Sequence, residues 1–296
     1  MQLSLRGPID GAGLLAFLAN RAVPGVEHVA DGRYGRTLAL PHGPAMVWLR
    51  IGESQVDAEL RLSDPRDHDD AVRRVRRLLD LDADPAAVDG LLGADPALAT
   101  QVRRTPGIRV PGAVDGPELA LRAVFGQQIS VAAARTAAGR LADALGEELP
   151  AHLVDGPLRR LFPTPAAVAE RGAEVLTGPR RRIDTVLTLS AAMAAGDLEV
   201  HAGRDPVELS RELQALPGIG PWTAGYVAMR VLGSDVLLTT DLIVRRGAAA
   251  LGLPSAVDAL DAHARRWSPF RAYGGMHLWR AAGGARVHRV DGAFVH

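Results

Sequence analysis

A chain of 296 residues in which 34 basic side chains balance 34 acidic ones has no net charge with which to hold a polyanion by bulk attraction, so any nucleic-acid contact has to come from local patches. It has no cysteine, which excludes disulfides, thiol nucleophiles and cysteine-held iron–sulfur clusters, and no lysine, which leaves only the terminal amine able to form a Schiff base. No apolar run approaches a membrane span and the start MQLSLRGPIDG lacks the parts of a signal peptide, so a cytoplasmic protein of one large or two modest domains is expected.

Asp10 precedes Leu14, Leu15, Leu18 and Ala19 at helical spacing, which predicts a short N-capped helix. Strands follow. Arg33–Leu40 and Ala45–Gly52 flank the turn Pro41-His42-Gly43-Pro44, and Gln55–Leu62 alternates strictly, with Val56, Ala58, Leu60 and Leu62 on one face. Such alternation describes a sheet with one wetted face. Val72, Val75, Leu78 and Leu79 form the apolar stripe of a helix, whose other side carries Arg73, Arg74, Arg76 and Arg77. Acidic residues before it make that side a solvated face in preference to a DNA contact. From about Asp84 the alternation stops, and pairs such as Pro106-Gly107, Gly178-Pro179 and Pro217-Gly218 separate helical segments. Ser130–Leu145, Arg181–Ala195, Pro221–Leu232 and Leu242–Leu251 are the clearest of these. His68, His152, His201, His263 and His277 stand at no metal-ligand spacing, and no metal is expected. The chain thus reads as α+β: an N-terminal antiparallel sheet domain with flanking helices over 1–84, an all-helical domain over 85–283 and a loosely packed tail over 284–296.

LPGIGPWTA, Leu216 to Ala224, lies between two helical stretches. Gly218 and Gly220 can take backbone angles closed to other residues, letting a hairpin lie flat against a phosphate. Pro221 suits the first turn of the next helix, and unpaired amides at that helix start would face an anion. A neutral protein could hold DNA in this way, although an ordinary interhelical turn favours the same residues. VLLTTDLIVRRGAAALG then places Asp241 at the mouth of a helix, 21 positions after Gly220. An aspartate there is, by itself, an N-cap. Together with the hairpin it resembles the helix-hairpin-helix DNA glycosylase superfamily, in which an essential aspartate follows the hairpin at such a distance.

The resemblance extends along nearly the whole chain to the bacterial inducible 3-methyladenine DNA glycosylase II (AlkA-type) family. FLANRAV (Phe17–Val23) and VEHVADGRYGRTLAL (Val26–Leu40) are similar to its N-terminal sheet domain, and RVPGAVDGPELALRAVFGQQISVAAA (Arg109–Ala134) to the start of its helical domain. The hairpin, TTDLIVRR and RRWSPFRAYGGMHLW (Arg265–Trp279) complete it in the family's order. The resemblance implies a monofunctional glycosylase of base excision repair with no cofactor, acting as a monomer at the nucleoid on double-stranded DNA containing alkylated bases of the 3-methyladenine and 7-methylguanine type. By the same resemblance Asp241 is the catalytic carboxylate. Trp222, Tyr226 and Trp279 line the base pocket, with Phe17 at its edge. Leu242 stands where one branch has a pocket tyrosine. Gln128, where that branch has leucine, fills the gap left by the flipped nucleotide, and Gly218, Gly220 and Thr223 hold the phosphate backbone.

The chemistry agrees with this picture. Six of the twelve aromatic residues fall between Trp222 and Trp279, and aromatic faces bind a cationic alkylated purine by stacking and cation–π attraction. Such a base leaves readily, so the enzyme mainly needs an anion beside the sugar as positive charge develops, and Asp241 would supply it and activate water. Trp222 looks to occupy the place where strand-cleaving relatives carry an attacking lysine. Three other readings stand beside this one. A non-catalytic helix-hairpin-helix DNA-structure-binding protein would use Asp241 only as a cap. A glycosylase for uracil, thymine or mismatched adenine would share the hairpin, and a small-molecule hydrolase would need a nucleophile elbow or metal spacing that the chain does not offer.

Overall fold

The computed structural model describes residues 1–127 and 129–287. Five strands, β1 (Gln2–Ser4), β2 (Glu27–Ala30), β3 (Arg33–Leu40), β4 (Gly43–Ile51) and β5 (Gln55–Leu62), form one antiparallel sheet in the order β1-β5-β4-β3-β2. The three inner strands are those expected, β3 and β4 from the segments flanking the turn and β5 from its alternation. β1 and β2 were not expected, being three and four residues long, too short to display a period. Pairing makes them strands, with Leu3 opposite Val56 and Val29 opposite Tyr34, and their shortness suits edge positions. Gly35 faces Trp48 across β3 and β4, and a Cβ there would lie 2.6 Å from the indole ring, so the absence of a side chain lets the tryptophan lie across the strand.

Two helices cover one face of the sheet. In α1 (Gly11–Arg21) the Asp10 carboxylate caps the first turn, accepting from Gly13 N at 3.1 Å. Leu14 and Leu18 of α1, Val75 and Leu78 of α2 (His68–Leu78), and Tyr34, Leu38 and Leu49 of the sheet share one buried cluster. The arginine face of α2 is neutralised nearby: Arg73 and Arg74 pair with Asp70, and Arg76 pairs with Asp82.

The rest is helical, as the sequence led us to expect. α3 (Pro85–Gly93), α4 (Pro96–Arg104), α5 (Gly116–Phe125), α6 (Val131–Leu145), α7 (Pro165–Val175) and α8 (Arg180–Ala195) lead to α9 (Pro206–Ala215), α10 (Pro221–Leu232), α11 (Leu242–Ala250), α12 (Val257–Ala264) and α13 (Arg271–Val287). Local chemistry starts several of them. At α3, α4, α7 and α9 an Asp or Thr accepts from a first-turn amide and proline fills the first helical position, whose missing N–H costs nothing there. α13 runs through Val287, into the segment expected as a tail, and residues 288–296 lie outside the described residues.

The helices enclose two cores. Leu121, Leu141, Leu189, Leu213 and Val227 mark one, among α5, α6, α8, α9 and α10. Val88, Leu98, Val244, Trp267 and Leu278 mark the other, which joins α3 and α4 to the last helices of the chain. α11 and α13 pack closely because Gly247 has no side chain: the Leu278 backbone occupies the space a Cβ would need. This approach sets Trp279 beside the start of α11. Among the described residues no helix is long and apolar enough to cross a membrane.

Candidate active site

The hairpin sits between α9 and α10. Gly218 has φ +87°, and a Cβ there would also overlap the Thr185 hydroxyl, so glycine is demanded twice over. Gly220 departs from expectation. Its φ of −102° and ψ of 178° are ordinary extended backbone, and nothing lies within 4 Å of a Cβ built on it. It is the N-cap of α10 without a side chain to cap, so the first amides of that helix are left without a capping acceptor. Thr223 is buried, and its hydroxyl accepts from Gln127 Nε2 at 2.8 Å. The same amide donates to Gly218 O at 3.1 Å, while Arg182 donates to Gln127 O at 3.0 Å. The Thr223 side chain therefore braces the hairpin from within. Gln128, the expected wedge, lies outside the described residues.

Asp241 is both the cap of α11 and a wall of the cavity. Its Oδ1 accepts from Ile243 N at 2.7 Å and Val244 N at 3.0 Å, and the Trp279 indole N–H approaches the same oxygen at 3.4 Å. Its Oδ2 accepts from the Trp222 indole at 3.0 Å. Four N–H groups thus converge on one carboxylate and fix its orientation.

That carboxylate borders a cavity of about 740 Å³ between α1 and the helices that follow. Trp222, Tyr226, Trp279 and Phe17 line it together with Asp241, so five of the expected site residues surround one space. Leu242 is not among its walls. At the first position of α11 it is 55% exposed, and the neighbouring Ile243 borders the cavity. Trp222 and Tyr226 present parallel rings, with centroids 5.4 Å apart and planes 8° from parallel.

One turn further along α10, Arg230 donates to the Tyr226 hydroxyl at 2.5 Å and to Gly112 O at 2.9 Å, with its Nε on Pro111 O. Burial alone would raise the Tyr226 phenol. The guanidiniums of Arg230, Arg21 and Arg122 outweigh that effect and hold it below its ordinary value. Arg21 lies over the Phe17 ring, 3.7 Å from its centroid.

A buried ionic network forms an adjoining wall. Arg36 of β3 reaches Glu118 of α5 at 2.8 Å and Glu27 of β2 at 3.3 Å, and Arg122 reaches Glu118 at 2.6 Å and Glu27 at 2.9 Å. Burial pushes the Glu27 carboxyl up, but Arg122 and Arg36, with hydrogen bonds from Tyr34 and Val23, bring it below its ordinary value. Arg122 also donates to Arg21 O at 2.7 Å, which ties the end of α1 to α5. Sequence reasoning missed all of these arginines. Arg230 follows Tyr226 by four residues and Arg21 follows Phe17 by four, a helical spacing that could have revealed both. Glu118 and Arg122 share that spacing on α5, but nothing local links the pair to Glu27 and Arg36.

Comparison with known proteins gives a consistent result. The family model of the AlkA N-terminal domain matches residues 1–115. DNA-3-methyladenine glycosylase 2 of Escherichia coli (strain K12) is 33% identical over 288 residues, covering 95% of this chain and 97% of that protein. The "probable bifunctional transcriptional activator/DNA repair enzyme AlkA" of Mycobacterium tuberculosis is 45% identical over 280 residues, 94% of this chain. Only 56% of that relative is covered, so the chain spans about half the length of the Mycobacterium tuberculosis relatives it matches. Among solved structures, a 3-methyladenine DNA glycosylase from Archaeoglobus fulgidus has the same fold, with a TM-score of 0.83 at 22% identity over 98% of this chain and 99% of that one.

Proposed function

This chain belongs to the AlkA family of DNA-3-methyladenine glycosylases, and on that premise we propose that it hydrolyses the N-glycosidic bond of alkylated bases in double-stranded DNA, as the first step of base excision repair. The observation that carries the proposal is the Asp241 carboxylate, held at the side of an aromatic cavity by the indoles of two of its walls.

In this mechanism the damaged nucleotide turns out of the duplex and its base enters the cavity, where Trp222, Tyr226 and Trp279 offer their faces to an electron-poor ring. As the bond between base and sugar opens, its electron pair passes to the base and neutralises the alkylated ring. Positive charge appears on the sugar, and the fixed carboxylate of Asp241 stabilises it. The same carboxylate takes a proton from the water that attacks the sugar. Nothing has to reorient during the step, because the two capping amides and the two indoles already orient the carboxylate. The backbone at Gly218, with the amides at the start of α10, would hold a phosphate without a basic side chain. Gly220 serves by leaving that helix start uncovered, and Thr223 serves by bracing it. Gln128 is the proposed wedge.

Division near residue 84 into a sheet domain and a helical domain is part of the same proposal. Two observations support it: the sheet has its own core with α1 and α2, and α3 opens a core shared with the end of the chain. A non-catalytic DNA-binding protein would explain the cap on α11 but gives no reason for two indoles to donate to that cap. The deciding experiment incubates the protein with methylated duplex DNA and identifies the released material. Free 3-methyladenine and 7-methylguanine are expected; DNA binding without release would favour the non-catalytic alternative.

A further inference from the structure

The aromatic wall of the cavity ends in positive charge. Trp222, Tyr226 and Arg230 lie on one face of α10 at successive turns, about 6 Å apart. The cavity therefore runs from the Asp241 carboxylate, bonded to the first of them, to a guanidinium at the last. Arg21 approaches the same end from α1. Its guanidinium lies 3.7 Å from the centroid of the Phe17 ring, and that of Arg230 lies 5.0 Å from the same centroid.

The nearby carboxylates do not neutralise this pair of cations. Glu27 and Glu118 are each engaged with both Arg36 and Arg122, and among the described residues neither Arg21 nor Arg230 forms an ion pair. The two arginines differ in what they have left to offer. Arg230 is buried and directs its N–H groups to Pro111, Gly112 and Tyr226. Arg21 is half-buried and borders the cavity, and among the described residues its guanidinium makes one long hydrogen bond, 3.3 Å to Phe17 O, which leaves it donors to spare. Arg230 donates to the Tyr226 hydroxyl at 2.5 Å and lies 5.4 Å from the centroid of its ring, which brings guanidinium charge directly onto the aromatic wall.

We propose that Arg21 is a specificity-determining residue, a charge filter on the far wall of the base cavity: it disfavours bases with a formal positive charge and favours neutral bases that turn a carbonyl oxygen toward it. The inference rests on the glycosylase function proposed above. The aromatic faces attract cations, and Arg21 opposes them from the far end, so the balance between the two kinds of base is set by its charge. A neutral oxopurine gains a donor for its carbonyl oxygen, and a cationic methylated adenine, which has no carbonyl, meets only repulsion there.

The test is single-turnover base release, with enzyme in excess, from methylated duplex yielding 3-methyladenine and from duplex containing 2′-deoxyinosine. Wild type is compared with Arg21→Gln, Arg21→Met and Arg21→Lys. Arg21→Met keeps an apolar stem on Phe17 and guards against a packing defect in Arg21→Gln. Substitution of the side chain leaves the carbonyl that Arg122 binds in place. The ratio of 3-methyladenine to hypoxanthine release is expected to rise about tenfold in both uncharged variants and to stay within about threefold of wild type in Arg21→Lys. An unchanged ratio in folded uncharged variants, Arg21→Lys behaving as they do, or wild type releasing 3-methyladenine but no hypoxanthine would each overturn the filter while leaving the glycosylase proposal intact. Wild type releasing neither base would overturn the glycosylase proposal itself, and the filter with it.

Discussion

The indole N–H of Trp222 donates to Oδ2 of Asp241 at 3.0 Å, joining the first turn of α10 to the cap of α11. One tryptophan thus belongs to the hairpin helix, to the aromatic wall through its stack on Tyr226, and to the carboxylate. Trp222→Phe keeps the stack and deletes the donor. A hydrogen bond to a charged group contributes about 1.5–3 kcal/mol, so base release is expected to fall about tenfold or more, with DNA affinity unchanged. A fully active, folded Trp222→Phe variant would show that this bond does not orient the carboxylate for the reaction.

Gly247 admits the Leu278 backbone at the crossing of α11 and α13. In Gly247→Ala the two helices must part. Overpacking of this kind costs about 1–3 kcal/mol, and the shift carries Trp279 away from Asp241. Urea denaturation is expected to report the lost stability, and base release to fall alongside it. Wild-type stability in this variant would mean that the crossing has slack that the close backbone approach does not suggest.

Asp80 follows α2 in a left-handed conformation and accepts from the Tyr273 hydroxyl at 2.8 Å and Val110 N at 3.2 Å, both on one oxygen. Burial raises its carboxyl to about 6 in spite of those bonds. In the unfolded chain the group titrates at its ordinary value, so between about pH 4 and pH 6 the folded protein keeps a proton that the unfolded chain has released. Stability therefore falls as pH rises through that window. Asp80→Asn accepts the same two bonds, tolerates the backbone conformation and carries no charge. It is expected to flatten this part of the stability profile and to raise the melting temperature at pH 7. A wild-type profile in Asp80→Asn would place the titration elsewhere.

The absence of lysine bears on the chemistry directly. The Met1 amine donates to Ala58 O at 2.8 Å at the edge of the sheet and is not among the residues that line the cavity. Borohydride treatment of the protein with alkylated DNA is therefore expected to trap no covalent adduct, and the strand to remain whole until alkali or heat is applied. An adduct, or breakage before that treatment, would call for an amine nucleophile in place of water.

Much of this architecture is legible locally. β3, β5 and α10 have the bounds read from the sequence, because a turn bounds β3, strict alternation defines β5 and Gly-Pro punctuation opens α10. What escapes is whatever depends on distant partners. β1 and β2 are strands by virtue of β5 and β3, and the shared core of α3, α4 and α13 joins residues nearly two hundred positions apart. The site divides in the same way. Asp241, Trp222, Tyr226, Trp279 and Phe17 were named from motifs and meet at one cavity, while helix phase turns Leu242 to solvent and gives the wall to Ile243. The ionic network joins β2, β3 and α5, and beyond the i,i+4 spacing of Glu118 and Arg122 nothing in the chain foretells it. At Gly220 the sequence suggested a glycine-only conformation, whereas the structure uses the residue for the open helix start it leaves.

The central claim is that Asp241 stabilises the charge that develops on the sugar, and single-turnover base release by Asp241→Asn from methylated duplex DNA tests it most directly. Asparagine caps a helix as well as aspartate does, so the fold and DNA affinity should survive the loss of charge. Release of 3-methyladenine is predicted to fall about 100- to 1000-fold, the size of effect seen when one preorganised electrostatic group is removed from a transition state. Near-wild-type release by a folded, DNA-binding Asp241→Asn would contradict the mechanism and leave Asp241 as the cap of α11 alone.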